Sequence, residues 1–277
     1  MWNDEIGGDD FLLQPFPEDW EQYLVRNVAH FQLLNEDERA RLRDGIRVLV
    51  AEKNWEGCGG LQVTDEVKVT IAAQACLMLL GMEHDYFSRV LSVLIYPSTF
   101  LIPKGEWMDD YEGATGAIGQ AVYRGPVILA WDAARADAQD PSSGRNVVIH
   151  EFAHQLDFLD GCVNGTPRLA SEEQGQRWYD VMTGEYTRLL RAMRKGHESF
   201  LGDYAARNET EFFAVASERF FTQPEQLRHY HPALHDMLVE FYAVDPTEWF
   251  ARKAGTAEQR SVPADSNTNN DPAPGIS

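Results

Sequence analysis

The chain has 277 residues, and with 44% of them hydrophobic it can bury a substantial core, so a globular protein is expected. Its 24 basic residues against 44 acidic ones leave a net charge of −20, which repels phosphate backbones and anionic headgroups and argues against direct nucleic-acid binding. The three cysteines, Cys58, Cys76 and Cys162, contain no C-x-x-C pair, which argues against a disulfide framework and a cysteine-type metal site.

Taken in chain order, the start Met1-Trp2-Asn3-Asp4-Glu5-Ile6 has neither a basic nor an apolar leader segment, which points to a cytoplasmic protein. Residues 1–15 are expected to be flexible. Pro17-Glu18-Asp19 opens a helix running to about His30, and Asn35-x-x-Glu38 forms a capping box ahead of Leu42, Ile46 and Leu49. Trp55 to Gly60 reads as a loop. Thr64 then caps a third helix with apolar positions to Leu80 and a stop at Gly81. The apolar stretch from Val67 to Met82 is interrupted by Lys68 and Gln74 and is too short to span a bilayer, so no membrane segment is expected.

The middle of the chain changes character. Val90 to Tyr96, ending at Pro97, and Ala121 to Trp131 are rich in branched and aromatic residues and read as strands of a small mixed sheet. The second of these is a candidate edge strand for an extended peptide. Helical patterns return from Arg145 to Gly161, from about Ser171 to Arg194, over Glu209 to Phe221, and between Pro232 and Val244. From Thr256 to Ser277 almost nothing is apolar, and burial there cannot offset the entropy of ordering, so a disordered tail is expected. The whole reads as one mostly helical α+β domain over residues 16–255, with 16–85 as a helical subdomain.

One string carries chemistry. His150-Glu151-Phe152-Ala153-His154 puts two imidazoles one helical turn apart with a carboxylate beside them, the arrangement that suits a catalytic zinc ion and a base acting on its water. Val147, Val148 and Ile149 before it, and Phe152, Leu156 and Leu159 within or after it, make the helix apolar nearly all round and hence buried. Polar groups on a buried helix need partners; a metal supplies them, and so would hydrogen bonds to two ordinary core histidines. A catalytic zinc needs a third protein ligand. The segment Asn208 to Glu218 offers Glu211, with Glu209 and Glu218 as rivals, although Asn208-x-x-Glu211 also fits a capping box. Asp157 lies on the same face as His154 and suits either the ring N–H that does not face the metal or a solvated or capping role. Gly57-Cys58-Gly59-Gly60 has no histidine base tied to it by spacing and lacks the ending of a phosphate loop, so it reads as a turn.

The string His150 to Asp157, with Tyr204-x-x-x-Asn208-Glu209-x-Glu211-Phe212-Phe213-Ala214 downstream, resembles the catalytic domain of anthrax lethal factor. From about Phe16 to Trp249 the chain more closely resembles the Mlc titration factor A family of bacterial zinc peptidases, through Trp55 to Leu61, Ile71 to Cys76, Tyr96-Pro97 and Asn208 to Phe221. The resemblance implies a zincin-like fold of gluzincin type, one Zn2+ per chain held by His150, His154 and Glu211, Glu151 as general base, and Tyr204 poised over the metal. It further implies aminopeptidase-like hydrolysis of peptide or protein substrates and binding of the Mlc glucose repressor. Where the lethal-factor pattern has an acidic residue this chain has Val215, so a supporting carboxylate must come from elsewhere. A competing class is a non-catalytic protein that sequesters the repressor, with a regulatory or structural zinc; the acidic surface would then face the basic DNA-reading side of the partner, or would serve solubility alone.

Overall fold

The protein, seen here as a computed structural model, is described over residues 15–99 and 125–252. The expected flexible N-terminus up to residue 14, the beginning of the strand placed at Ala121, and the tail from Thr256 lie outside the described residues.

The first third is built of helices, as its periodicity predicts. Helix α1, Glu18–Asn27, starts behind Pro17. It ends short of His30, and a 3-10 turn at Ala29–Gln32 takes over. Helix α2, Glu36–Glu52, has the predicted capping box: Asn35 accepts from the Glu38 N–H at 2.9 Å and returns its own N–H to the Glu38 carboxylate at 2.7 Å. Helix α3, Asp65–Leu77, follows Thr64, whose side chain makes no capping bond. From Val69 to Leu77 every residue of α3 is buried, because α1, α2 and a later helix, Trp131–Gln139, cover it from several sides. The helix stops at Leu77 rather than Leu80. Gly81 owes its place to a close approach: a Cβ there would lie 2.2 Å from the Ala243 carbonyl oxygen.

Among the described residues three short strands form one sheet: β1 Asn54–Gly57, β2 Ser92–Tyr96 and β3 Val127–Ala130, in the order β1-β2-β3. Both pairings are parallel, Trp55 opposite Val93 and Val93 opposite Val127, which corrects the expectation of a mixed sheet. The physical reason lies in the connections: α3 carries the chain from β1 back to the start of β2, and such crossovers bring strands in side by side with the same direction. The expected loop at Trp55 thus begins as a strand. Past Gly57 it turns, with Gly59 and Gly60 at positive φ and the Cys58 N–H donating to the Ile95 carbonyl at 2.8 Å.

At Trp131 the chain passes without a loop from β3 into α4, Trp131–Gln139, a helix that strand propensity around Ile128 conceals. Helix α5, Val147–Asp157, follows, then α6, Glu172–Arg194, with Ser171 as its N-cap. Helix α7, Glu209–Thr222, leads directly into α8, Pro224–Tyr230, which has seven residues and too little periodicity to be read in advance. Helix α9, Pro232–Tyr242, closes this series with Ala243 in a left-handed conformation. The principal packing partner of α5 is α7, and Phe152, Phe212 and Phe213 lie fully or almost fully buried around that seam. Burying one such ring contributes about 1.5–3 kcal/mol, so the site described below rests on a firm apolar layer. Among the described residues, no helix is long and apolar enough to cross a membrane.

Candidate metal centre

Helix α5 is set at its start by Asn146, whose side chain accepts from the Ile149 N–H at 2.9 Å. One turn later, His150 and His154 leave the same face, and their Nε2 atoms come within 3.2 Å of each other. Helix α7 is capped in the same way, Asn208 accepting from the Glu211 N–H at 2.8 Å. The reciprocal half of a capping box is not made. The cap uses the backbone of Glu211 and leaves its carboxylate free, so the capping and ligand readings of Asn208-x-x-Glu211 are compatible. Glu211 Oε2 lies 3.1 Å from His150 Nε2 and 3.6 Å from His154 Nε2.

His150, His154 and Glu211 are the one group of histidine, cysteine or acidic ligand atoms among the described residues close enough to share an ion. Their spacing fits a metal. An ion with tetrahedral bonds of about 2.0–2.1 Å keeps its donor atoms about 3.3 Å apart. The hydrogen-bonding account points the same way, since Glu211 Oε2 and Glu151 Oε1 are both buried without a hydrogen-bond partner. Two imidazole nitrogens and a carboxylate oxygen meeting in one buried space form a group that could hold a cation.

The surroundings prepare these groups electrostatically. Burial alone would lower the pKa of His150, but the Glu211 and Glu218 carboxylates outweigh it and raise the metal-free imidazole to about 9. Burial likewise pushes Glu211 up, and His150 and His154 together pull it well below the usual carboxylate range. Glu151 goes the other way: desolvation, then the negative charges of Glu211 and Glu218, raise it well above an ordinary carboxylate. Tyr204, in a 3-10 turn at Tyr204–Ala206, brings its ring centroid within 5.7 Å of that of His150, and the Arg207 guanidinium lies over the Tyr204 ring, 4.3 Å from its centroid. Burial and the nearby Glu211 raise the Tyr204 phenol, so it stays protonated.

Of the two rivals to Glu211, Glu209 lends the site only backbone, its carbonyl closing against Gly165, where a Cβ would lie 2.4 Å away. Glu218 plays a part that the sequence did not reveal. Its carboxylate accepts from His150 Nδ1 at 2.6 Å and from the Asn146 N–H at 2.8 Å. Asn146 in turn donates to Gln74 Oε1 at 2.9 Å, and Gln74 donates to the Thr70 and Ala134 carbonyls. A buried polar chain therefore runs from α3 to the metal-facing ring and fixes its tautomer, with Nδ1–H toward Glu218 and Nε2 toward the cluster. It supplies the carboxylate that Val215 cannot. Seven residues separate Glu211 from Glu218 on one helix, two turns on the same face, which is the signal that was available.

Asp157 is not a partner of His154. It is fully buried and accepts from the Gly165 N–H at 3.0 Å, pinning the loop after α5, whose Gly165 carbonyl also accepts from the Trp178 indole at 3.1 Å. His154 Nδ1 is buried without a partner.

Comparison with known sequences agrees with this geometry. Residues 9–243 match the family described as glucose-regulated metallo-peptidase M90. An uncharacterized protein of Synechocystis sp., slr2042, is 34% identical over 237 residues, covering 84% of this chain and 86% of its own length. Mlc titration factor A of Yersinia pestis is 33% identical over 235 residues, covering 82% of this chain and 84% of its own, and the Yersinia pseudotuberculosis protein of that name matches equally.

Proposed function

Because the chain belongs to the glucose-regulated metallo-peptidase M90 family, we propose that it is a zinc-dependent, aminopeptidase-like peptidase with a zincin-like fold of gluzincin type. The observation that carries the reading is the convergence of His150 Nε2, His154 Nε2 and Glu211 Oε2 beside the unpartnered Glu151 carboxylate. Two imidazoles and a carboxylate are a donor set that zinc favours in catalytic sites, with a fourth position left open. When bound there, zinc would polarise a peptide carbonyl and lower the pKa of its water to about 7.

The protein's own residues then divide the work. Glu151, held one residue from a ligand on a rigid helix, takes a proton from the attacking water and passes it to the leaving amine. In the metal-free site desolvation, with the charges of Glu211 and Glu218, raises its pKa. Tyr204 keeps its proton and donates a hydrogen bond to the carbonyl oxygen as charge develops, a contact worth roughly 3 kcal/mol when preorganised. Glu218 holds the His150 ring in place. Strand β3, paired on only one side among the described residues, is the edge on which an extended peptide would add.

Glu151→Gln is the test. It removes the base and keeps the shape, so metal content by elemental analysis should stay at one zinc per chain while peptide hydrolysis falls by at least a thousandfold. Hydrolysis at the parent rate would overturn the mechanism.

The name of the Yersinia relatives supports a second role, binding of an Mlc-type repressor. The net charge of −20 suits docking to a basic face. Affinity for such a repressor should then fall as salt rises, and an affinity that is the same at low and high salt would remove the electrostatic basis of the reading.

A further inference from the structure

Between α2, the end of α3 and the segment that follows it lies a cavity of about 290 Å³, lined by Arg41, Asp44, Cys76, Leu79, Met82 and Tyr86 among others. It is separate from the metal cluster, and none of its lining residues belongs to that centre. A volume at the lower edge of the about 300–1,000 Å³ of typical ligand pockets is too small for a nucleotide cofactor and suits a molecule of a few heavy atoms.

The lining has an order. Arg41 and Asp44 stand one turn apart on α2, and neither charge is taken up by an ion pair among the described residues. Asp44 lines the same cavity as Cys76, Leu79 and Leu80 at the C-terminal end of α3, where the helix dipole makes the surroundings favourable to a cation. Arg41 offers a planar fork that matches a carboxylate. Leu79, Leu80 and Met82 supply an apolar wall. A positive group, a negative group and aliphatic surface around one small space recognise a zwitterion with an aliphatic side chain.

Backbone geometry adds an independent sign. Tyr86 and the adjacent Phe87 both adopt left-handed conformations, φ 53° and 52°, which are strained for aromatic residues and persist where surrounding structure enforces them. Enforcement is visible. The buried Lys53 ammonium donates to the Phe87 carbonyl at 3.0 Å, and the Phe87 ring packs edge-on to Phe152 of α5 at 4.7 Å. The strain holds Tyr86 on the cavity wall, its ring in edge contact with His84, another lining residue, at 4.4 Å.

We propose that this cavity is a binding site for a free α-amino acid with an aliphatic side chain, its carboxylate on Arg41, its ammonium on Asp44, and its side chain on Leu79, Leu80 and Met82. The reading does not depend on peptidase activity.

Calorimetric titration of the full chain with L-leucine tests it, with leucinamide, which lacks the carboxylate, and 4-methylpentanoate, which lacks the ammonium, as companions. L-leucine should bind saturably at one site per chain, and each companion at least tenfold more weakly. Arg41→Ala and Asp44→Ala lie on the exposed side of α2 and should each weaken L-leucine at least tenfold while zinc content and peptide hydrolysis stay unchanged. Binding that both variants retain would assign the amino acid to the metal centre and overturn the proposal, as would the lack of saturable binding up to about 10 mM. Loss of hydrolysis with leucine binding intact in Glu151→Gln would bear on the catalytic reading alone.

Discussion

Two pairs of histidines in this chain share the same spacing and come to opposite ends. His150 and His154 stand four apart, as do His231 and His235, and all four are buried or nearly so. In the first pair both residues lie inside α5, so helical periodicity brings their Nε2 atoms to 3.2 Å. In the second, Pro232 starts α9 and leaves His231 outside it as the N-cap, at φ −140° and ψ 60°. Its ring turns to Glu185 on α6, Nδ1 at 2.6 Å, while His235 faces Asp236 and Asp245. The spacing of four implies a shared face only where both residues are helical. A second difference is convergence: both rings of the first pair face one oxygen, Glu211 Oε2, whereas the second pair is divided between Glu185 on one side and Asp236 and Asp245 on the other.

The largest effects should come from taking either pair apart. His150→Ala and His154→Ala each remove one of the three proposed ligands, and zinc content after dialysis should drop to a few per cent with hydrolysis falling in step. His231→Ala and His235→Ala should lower thermal stability and leave one zinc per chain. Elemental analysis of the four purified variants decides the matter: full zinc in the first two would dismantle the ligand assignment.

A smaller effect separates the carboxylates behind the rings. Glu218 supports a ring aimed at the metal, so Glu218→Gln should weaken zinc about 10- to 100-fold in competition with a fluorescent chelator. Glu185 supports a ring that packs near Phe200 and lies outside the His150–His154–Glu211 cluster, and Glu185→Gln should leave zinc affinity within twofold. Equal losses in the two variants would mean that the Glu218 effect is general destabilisation.

These contrasts also explain what the sequence could and could not reveal. The motif at His150 was legible because one turn of one helix contains it, and Glu211 because a cap signal and an apolar run marked where α7 begins. Glu218 was visible only as a rival ligand. That its carboxylate meets Nδ1 of His150 depends on how α5 crosses α7, and no local pattern encodes that crossing. Asp157 misled for the complementary reason: it sits near the right face, but the loop at Gly165 offers a closer donor. In the fold, helices with a cap and a long apolar stripe were readable, whereas β1 has four residues of mixed polarity whose strand character comes from its neighbour β2. The parallel direction of β1 and β2 likewise follows from the crossover through α3 and not from composition.

The smallest expected effect concerns the sign of a pH dependence, where His30 provides the reference for a histidine that serves the core alone. Its Nε2–H donates to the Phe221 carbonyl at 2.8 Å, and Nδ1 is buried without a partner. Desolvation lowers its pKa, against the smaller opposing pull of that carbonyl. The unfolded chain therefore takes up the proton first, so the stability tied to neutral His30 is present above about pH 6.5 and is lost as pH falls below it. His150 in the chelator-stripped protein has the opposite sign: raised to about 9, it contributes fully below about pH 6.5 and loses that contribution as pH rises through 9. Urea unfolding of the stripped protein at pH 5, 6, 7, 8 and 9 should resolve both. Glutamine at position 30 can still donate to Phe221 but cannot titrate, so His30→Gln should flatten the decline between pH 6.5 and 5 and leave the alkaline limb unchanged. Titrations shared by the two proteins cancel in the difference. Parallel curves for the parent and His30→Gln would mean that His30 takes up its proton as readily folded as unfolded, and the distinction drawn between core and site histidines would then rest on geometry alone.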